Sequence, residues 1–179
     1  MRNIQIRSAE PEDLEVCGGL DHSCLTDRVW QMETRQVNGV RTVSFRTVRL
    51  PRDMKVNYPR QGEALLMGWW QRDGFLVAER AGSIGGYVGL TTHPEHQILW
   101  VGDLVVDRPL RRQGIGSALL RAARRWGRER DLLRLMIEIQ TKNYPAIQFC
   151  RSRGLTFAGY NDRYWPSQDI ALFFGGVLQ

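Results

Sequence analysis

Three features of this chain carry side chains or backbone groups suited to chemistry: an arginine-rich glycine turn and two carboxylates set in apolar runs. The turn reads Arg108-Pro-Leu-Arg111-Arg112-Gln113-Gly114-Ile115-Gly116-Ser117. Before it lies Ile98–Val106, apolar apart from Gly102 and Asp103, the texture of a strand buried on both faces. After it, Ile115, Leu119, Ala122 and Trp126 fall on one side of a helix and Arg121, Arg124, Arg125 and Arg128 on the other. The first N–H groups of a helix lack an intrahelical partner, and the helix dipole adds partial positive charge there. The glycine turn and helix start at Gly114-Ile115-Gly116-Ser117 therefore form a candidate anion site. Gly114 and Gly116 have no Cβ to hold an oxygen away, and Arg111 and Arg112 would add charge-assisted hydrogen bonds. A negative group at such a site gains about 0.3–1 kcal/mol per charge when exposed and about 2 when partly buried.

Two familiar phosphate loops are excluded. The dinucleotide fingerprint needs a third glycine where Leu119 stands, and no Gly-Lys-Ser/Thr occurs anywhere in the chain. The carboxylates are Asp103 and Glu138, the latter within Leu132-Leu-Arg-Leu-Met-Ile-Glu-Ile-Gln140. Burial without a partner is costly, so Glu138 is either a proton acceptor or the ion-pair partner of Arg134 on the same strand face. Asp103 serves either chemistry or the backbone and arginines around it. His93-Pro-Glu-His96 places two histidines three apart, but Pro94 spoils a helix and no further cysteine or histidine is near, so a turn is expected and no metal.

The elements that must position these groups follow from pattern. Ile4 and Ile6 alternate as a first strand, and Ser8–Asp13 opens a helix with Pro11 in its first turn. Asn38-Gly39 between Val29–Val37 and Val40–Leu50 signals a hairpin. Pro51–Gly62 reads as a polar loop, a lid over a cleft. Trp69 and Trp70 wall a pocket or fill core, core being the commoner use. Phe75–Glu79 and Ile84–Thr92 are strands, the second bulged or closely packed at Gly85, Gly86 and Gly89. Leu132–Gln140 is a buried strand. Asn143 is an N-cap with Pro145 in the first turn, and Gly154 stops that helix. Leu155–Tyr160 and Asp169–Phe174 close an α/β fold with a mixed sheet flanked by helices.

Composition sets the bounds. The 179 residues are expected to form one domain, 1–179, with a hairpin and loop elaboration around 29–62. Hydrophobic content of 42% and charged content of 25% are ordinary for a globular protein. No apolar run reaches the ~20 residues of a membrane span, and the N-terminus lacks a signal-peptide core. Cys17, Cys24 and Cys150 are too few and scattered for a disulfide framework, which fits a reducing, cytoplasmic setting. Net charge is +6, and nine arginines lie between Arg108 and Arg134, so a polyanion is an expected ligand or the arginines are a solvated face.

The strand ending Leu104-Val105-Val106, followed by Arg111-x-x-Gly114-x-Gly116, resembles the pyrophosphate motif of the GNAT superfamily of acyl-CoA-dependent N-acetyltransferases. The resemblance covers Phe75 to Phe174 firmly, and the earlier part, with Arg7, Ala9, Pro11, Asp13 and Leu14, loosely. It implies two central parallel strands that splay apart to admit acetyl-CoA. Pantetheine would run along Leu104, Val105 and Val106 and touch Asn143, and the pyrophosphate would rest on the amides of Arg112–Ser117. Glu138 matches the family's acidic proton acceptor, five residues before the helix-opening Asn. Asp103 is the second candidate. Where many relatives carry a Tyr as general acid, seven residues after the Asn, this chain has Cys150. That thiol would donate a proton, act as a nucleophile, or simply pack a helix; otherwise water, Tyr144 or Tyr160 supplies the proton. Asp103…Glu138-Ile-Gln-Thr-Lys-Asn143 and the ending Asp169-Ile-Ala-Leu-Phe-Phe174 resemble the antibiotic-acetylating branch typified by streptothricin acetyltransferases.

The expected function is acetyl transfer from acetyl-CoA to a primary amine of a small molecule by direct attack in a ternary complex, without a metal. The alternatives are a protein or peptide N-acetyltransferase and a non-catalytic acyl-CoA-binding module. No motif that reads RNA or DNA is present, and neither a nucleic-acid nor a membrane partner is expected. A homodimer is the default assembly.

Overall fold

In the computed structural model, which describes residues 4–60, 63–69 and 71–178, the elements run β1 (Ile4–Ser8), α1 (Asp13–Gly19), β2 (Cys24–Val37), β3 (Val40–Val56), α2 (Glu63–Trp69), β4 (Gly74–Arg80), β5 (Ser83–His93), β6 (Ile98–Val106), α3 (Ile115–Arg128), β7 (Arg134–Gln140), α4 (Tyr144–Ser152), β8 (Thr156–Asn161) and β9 (Ala171–Val177). Seven strands form a mixed sheet in the order β1-β4-β5-β6-β7-β9-β8, and β2 pairs with β3 in a separate ribbon. The expected α/β architecture is the observed one.

The feature that positions the site is the break in the middle of the sheet. β6 and β7 are parallel and pair only from Ile98–Val101 to Arg134–Ile137. Beyond that point β6 stays with β5 as far as Val106, and β7 stays with β9 as far as Gln140. The strands therefore diverge and leave a gap. A bulge marks the divergence: Gly89 pairs with Asp103 and Leu90 with Val101, so Gly102 is the extra residue. The Arg72 guanidinium packs on Gly102 so closely that a Cβ there would lie 2.6 Å from Nη2 and 2.7 Å from Cζ. Only glycine fits under it.

α3 closes one face of the sheet with Ile115, Leu119, Leu120, Ala122 and Ala123, all buried in the main core with Val88, Leu90, Leu99, Leu135 and Phe174. The helix-period stripe read from the sequence is the buried one. Asn143 caps α4 as expected, its side chain accepting from the Ala146 N–H at 3.1 Å. Gly154 takes the left-handed φ of +76° that ends the helix.

Asn38 and Gly39 have φ of 51° and 79°, the backbone a two-residue hairpin turn requires. The ribbon is anchored by its own apolar face. Trp30 and Phe45 pack with Phe157, Tyr160 and Phe174, and the Trp30 N–H donates to the Thr141 carbonyl at 2.9 Å. One expectation fails here. Residues 51–56 are strand, not loop, because Thr26–Met54, Leu25–Lys55 and Cys24–Val56 continue the ladder after an irregularity opposite Asp27. Pro51 falls in that irregularity, where a missing N–H costs no ladder bond. Gly62 and Trp70 lie outside the described residues. Trp69 packs on Phe75 in a second, smaller cluster with Leu65 and Tyr87, as core filler does. Among the described residues no helix is long and apolar enough to cross a membrane.

Candidate active site

A cavity of about 700 Å³ occupies the gap between β6 and β7. One end is the turn before α3. Arg112 and Gly114 have φ of 63° and 91°, and the first α3 hydrogen bond is Ala118 N–H to Gly114 C=O at 3.0 Å. The amides of Ile115, Gly116 and Ser117 thus precede the first intrahelical bond and stand at the cavity mouth. The walls are Leu104–Val106 of β6, Ile137–Gln140 of β7 and the Asn143, Ala146, Phe149 and Cys150 side of α4. Tyr58 and Arg60, which follow the ribbon, cover the far end.

The flanking arginines behave differently from one another. Arg112 is exposed at the mouth. Arg111 turns inward: its Nε donates to the Val106 carbonyl at 2.8 Å, Nη1 to Ser23 O at 2.7 Å and Nη2 to Asp21 O at 2.9 Å. Every nitrogen of that guanidinium holds a backbone carbonyl, so it ties the end of β6 to the loop before β2. Gln113 accepts from Arg80 and donates to Pro109 O, which fixes the turn from outside.

The far end is a buried charge cluster. Asp103 is 2% and Glu138 9% exposed. Asp103 Oδ1 accepts from the Tyr58 hydroxyl at 2.7 Å and from Arg60 Nε at 2.9 Å, and Oδ2 accepts from Arg72 Nη2 at 2.6 Å. Arg60 Nη2 also bonds the Gly102 carbonyl and Glu138 Oε1. Glu138 Oε2 accepts from Trp100 Nε1 at 2.9 Å and from the Tyr164 hydroxyl. Burial pushes the Asp103 carboxyl up, but the Arg60 and Arg72 charges and the Tyr58 hydrogen bond outweigh it and hold the group below the usual carboxylate range. Burial and the bond to Glu138 push the Tyr164 hydroxyl up, so it stays protonated as a donor. Of the two carboxylates, Glu138 lines the cavity, whereas Asp103 sits behind Tyr58 and Arg60.

Two sequence expectations meet a different arrangement. Glu138 does not pair with Arg134, which is exposed at the other end of β7, opposite Ile98 and Val177; its cationic partner is Arg60. Cys150 lines the cavity but is 1% exposed, and burial raises its thiol pKa to about 12. A group that weakly acidic is neither a ready nucleophile nor a proton donor matched to a thiolate. Tyr144 and Tyr160 are not among the cavity lining, whereas Tyr58 is. Pro94–His96 form a single turn of 3-10 helix after β5, and among the described residues no three of His, Cys, Asp and Glu converge to hold a metal. Arg60, Arg72, Trp100 and Tyr164 escape the sequence pattern, since each reaches Asp103 or Glu138 across 26 to 78 residues of chain. The one available signal was the polar stretch Pro51–Gly62, which contains Tyr58 and Arg60.

The arrangement offers a turn with free helix-end amides, a channel between strands and a buried carboxylate at its end. The sequence profile of the Acetyltransferase (GNAT) family matches residues 45–155. A streptothricin acetyltransferase from Streptomyces lavendulae is 30% identical over 168 residues, covering 87% of this chain and 82% of the relative. The crystal structure of nourseothricin acetyltransferase superposes with a TM-score of 0.84 at 25% identity, over 98% of this chain and 99% of that one. A candidate streptothricin acetyltransferase from Bacillus anthracis str. Ames, solved in complex with acetyl coenzyme A, has the same fold, with a TM-score of 0.77 at 19% identity and the same shares of the two chains. The chain belongs to the GNAT family and is an acetyl-CoA-dependent N-acetyltransferase.

Proposed function

We propose that this enzyme acetylates a primary amine of a small molecule of the streptothricin class, by direct attack on acetyl-CoA in a ternary complex. One observation carries the proposal: a single cavity runs from the amides of α3 to Glu138 through the gap between β6 and β7. Anionic phosphates suit the turn at 112–117 by its free amides and dipole. The thioester arm then has Leu104–Val106 on one side and Asn143, Ala146 and Phe149 on the other, and the acceptor enters from the Tyr58–Arg60 end.

The chemistry needs a base. An ammonium of pKa ~10.4 lies some 3.4 units above pH 7, so presenting it as free amine costs about 4.6 kcal/mol. Glu138, directly or through one water, takes that proton. The amine lone pair attacks the thioester carbonyl, whose oxygen is polarised by backbone amides near Val106. The C–S bond breaks, the acylated nitrogen gives up its second proton to water, and the thiolate, a leaving group of pKa ~8.5, is protonated from water. Asp103 holds Arg60 and Tyr58 in place, and Arg111 braces the end of β6. Cys150 packs α4 against the cavity.

The test is thiol release from acetyl-CoA against an acceptor panel: streptothricin, simple diamines and peptides with free N-termini. Preference for streptothricin, with intersecting initial-velocity lines, is the expected outcome. Preference for peptides would move the assignment to a protein acetyltransferase, and parallel lines would replace direct attack by an acetyl-enzyme route.

A further inference from the structure

The charge cluster at the far end of the cavity contains a contact that the proposed proton transfer does not use and that stands in its way. Arg60 Nη2 bonds both the Gly102 carbonyl and Glu138 Oε1, and Nε of the same guanidinium donates to Asp103 Oδ1 at 2.9 Å. Glu138 Oε2 already accepts from Trp100 Nε1 and the Tyr164 hydroxyl. In the free enzyme a cation therefore sits on the oxygen of the base that is left for an amine. The two guanidinium groups of the cluster are not placed alike. Arg60, Gly102 and Glu138 line the cavity, whereas Arg72 does not. Arg72 is held by Asp103 Oδ2 at 2.6 Å and Thr91 Oγ1 at 3.2 Å, and its neighbour Asp73 is bonded to Leu90 and Thr92 of β5. Arg60 stands on the connection between β3 and α2, and its guanidinium is held by groups that any second cation would also seek.

An alkylamine of pKa ~10.4 arrives at pH 7 as an ammonium. Added to two buried carboxylates and two guanidinium groups, it would leave one positive charge uncompensated, which is costly. One cation has to go. We propose that the point filled by Arg60 Nη2 is the seat of the acceptor's ammonium nitrogen, and that Arg60 is an internal stand-in which the acceptor displaces. This rests on the reading of Glu138 as the base. One nitrogen at that point reaches both the Gly102 carbonyl and Glu138 Oε1, as Nη2 does, so a primary ammonium donates one N–H to each and has a third to spare. Asp103 keeps Arg72 and Tyr58, and Glu138 keeps Trp100 and Tyr164, so neither carboxylate is left bare. The charges again sum to zero, and the amine starts in contact with the oxygen that takes its proton. Two consequences follow. Apparent affinity for the acceptor is lowered by the fraction of molecules whose seat is closed. Compounds ending in a guanidinium should fill the seat without being acetylated, because that group keeps its proton.

Calorimetric titration with 1,5-diaminopentane at pH 7, without acetyl-CoA, reads the seat apart from turnover. Arg60→Ala should bind the diamine at least about tenfold more tightly than the parent, the factor expected when about a tenth or less of the parent molecules have the seat open. Guanidinium chloride at low millimolar concentration should raise the Tm of Arg60→Ala by an amount that grows with the logarithm of its concentration. Sodium chloride should not match that rise, the parent should not show it, and guanidinium should compete with the diamine. Hydrogen exchange on the parent alone covers the case in which Arg60→Ala does not fold: exchange at residues 57–60 should quicken on diamine binding as the guanidinium lets go. A folded Arg60→Ala that binds the diamine no more tightly than the parent, or gains nothing from guanidinium over sodium, would overturn the inference. Slower or unchanged exchange at 57–60 in the parent would do the same, as would absence of diamine binding from both proteins. A Glu138→Gln enzyme that keeps its rate would instead sink the assignment of the base, whatever the seat binds.

Discussion

Replacing Glu138 with Gln separates the two buried carboxylates by role. Gln keeps the shape and one carbonyl oxygen, which can stay on Arg60. Its amide then faces Trp100 Nε1 and the Tyr164 hydroxyl, both of which donate to Oε2 in the parent. Tyr164 can turn and accept, but an indole N–H cannot. One buried donor is orphaned, at a cost of about 1–3 kcal/mol, or roughly 2–12 °C of Tm for a chain of this size. The variant should therefore fold. Loss of the base should lower kcat/KM for the acceptor by about 10²–10⁴, or 2.7–5.4 kcal/mol at 1.36 per decade, with acetyl-CoA binding unchanged. Its rate should climb about tenfold per pH unit from 7 to 9, following the free amine. Asp103→Asn should do the reverse. It leaves Arg60 and Arg72 short of a buried counter-charge and costs about 3–5 kcal/mol, a fall of about 6–20 °C in Tm, while the rate per folded molecule holds up better. Thiol-release kinetics alongside thermal melts read both. If Glu138→Gln keeps most of the parent's rate at pH 7 while Asp103→Asn loses it at equal folded fraction, the assignment of the base is wrong.

Other expectations follow from individual contacts. Gly116→Val should fold, because the nearest neighbours of a Cβ there, Phe149 and Val106, stand at 3.6 Å, ordinary van der Waals contact, yet weaken acetyl-CoA markedly by filling the cavity mouth; unchanged affinity by calorimetry would refute the diphosphate site. Gly102→Ala should cost about 1–3 kcal/mol by overpacking, since Arg72 is pinned by Asp103 and Thr91 and cannot withdraw; an unshifted melting curve would contradict this. Cys150→Ala should retain activity within an order of magnitude, and mass spectrometry of enzyme mixed with acetyl-CoA should find no acetyl group on Cys150; a thioester adduct there would reverse the conclusion. Acid should unfold the protein through Asp103, Asp13 and Asp169. Burial pushes the Asp103 and Asp169 carboxyls up, but Arg60 and Arg72 bring the first, and Lys142 the second, below the ordinary 3.8; the Arg7 hydrogen bond does the same for Asp13. Folded-state values below the unfolded one mean stability present above pH 3.8 and lost as pH falls through the depressed values, which urea midpoints measured from pH 7 to 2 will show.

What the sequence made legible was local. The run Ile98–Val106, the turn Arg111-x-x-Gly114-x-Gly116 and the stripe from Ile115 to Trp126 are contiguous, so their period and turn residues determine strand, turn and helix without help from elsewhere. Asn143 and Gly154 likewise mark the ends of α4 by their own conformational preferences. The far end of the cavity obeys no such rule. Arg60 and Arg72 reach Asp103 from 43 and 31 residues away, and nothing in the hydropathy of a polar stretch says which of its arginines will be buried. The misassigned loop at 51–56 has the same cause: a proline argues against a strand unless a bulge, visible only through the pairing with β2, excuses it.

The buried quartet of Asp103, Glu138, Arg60 and Arg72 is also an argument about why the site is built this way. Two carboxylates and two guanidinium groups sum to zero, and each buried carboxylate has a guanidinium beside it. Buried ion pairs contribute little net stability, because desolvation consumes most of the Coulomb gain. Apolar residues of similar volume would hold the sheet at least as well. What apolar residues cannot do is place a hydrogen-bonded carboxylate at the end of the channel, which the proposed proton transfer from the amine requires. Asp103 sets Arg60, Arg60 orients Glu138 Oε1, and Trp100 and Tyr164 orient Oε2. The divergence of β6 from β7 at Gly102 opens the space, and the Arg72 guanidinium lying on that glycine couples the opening of the sheet to the buried charge of Asp103 behind it.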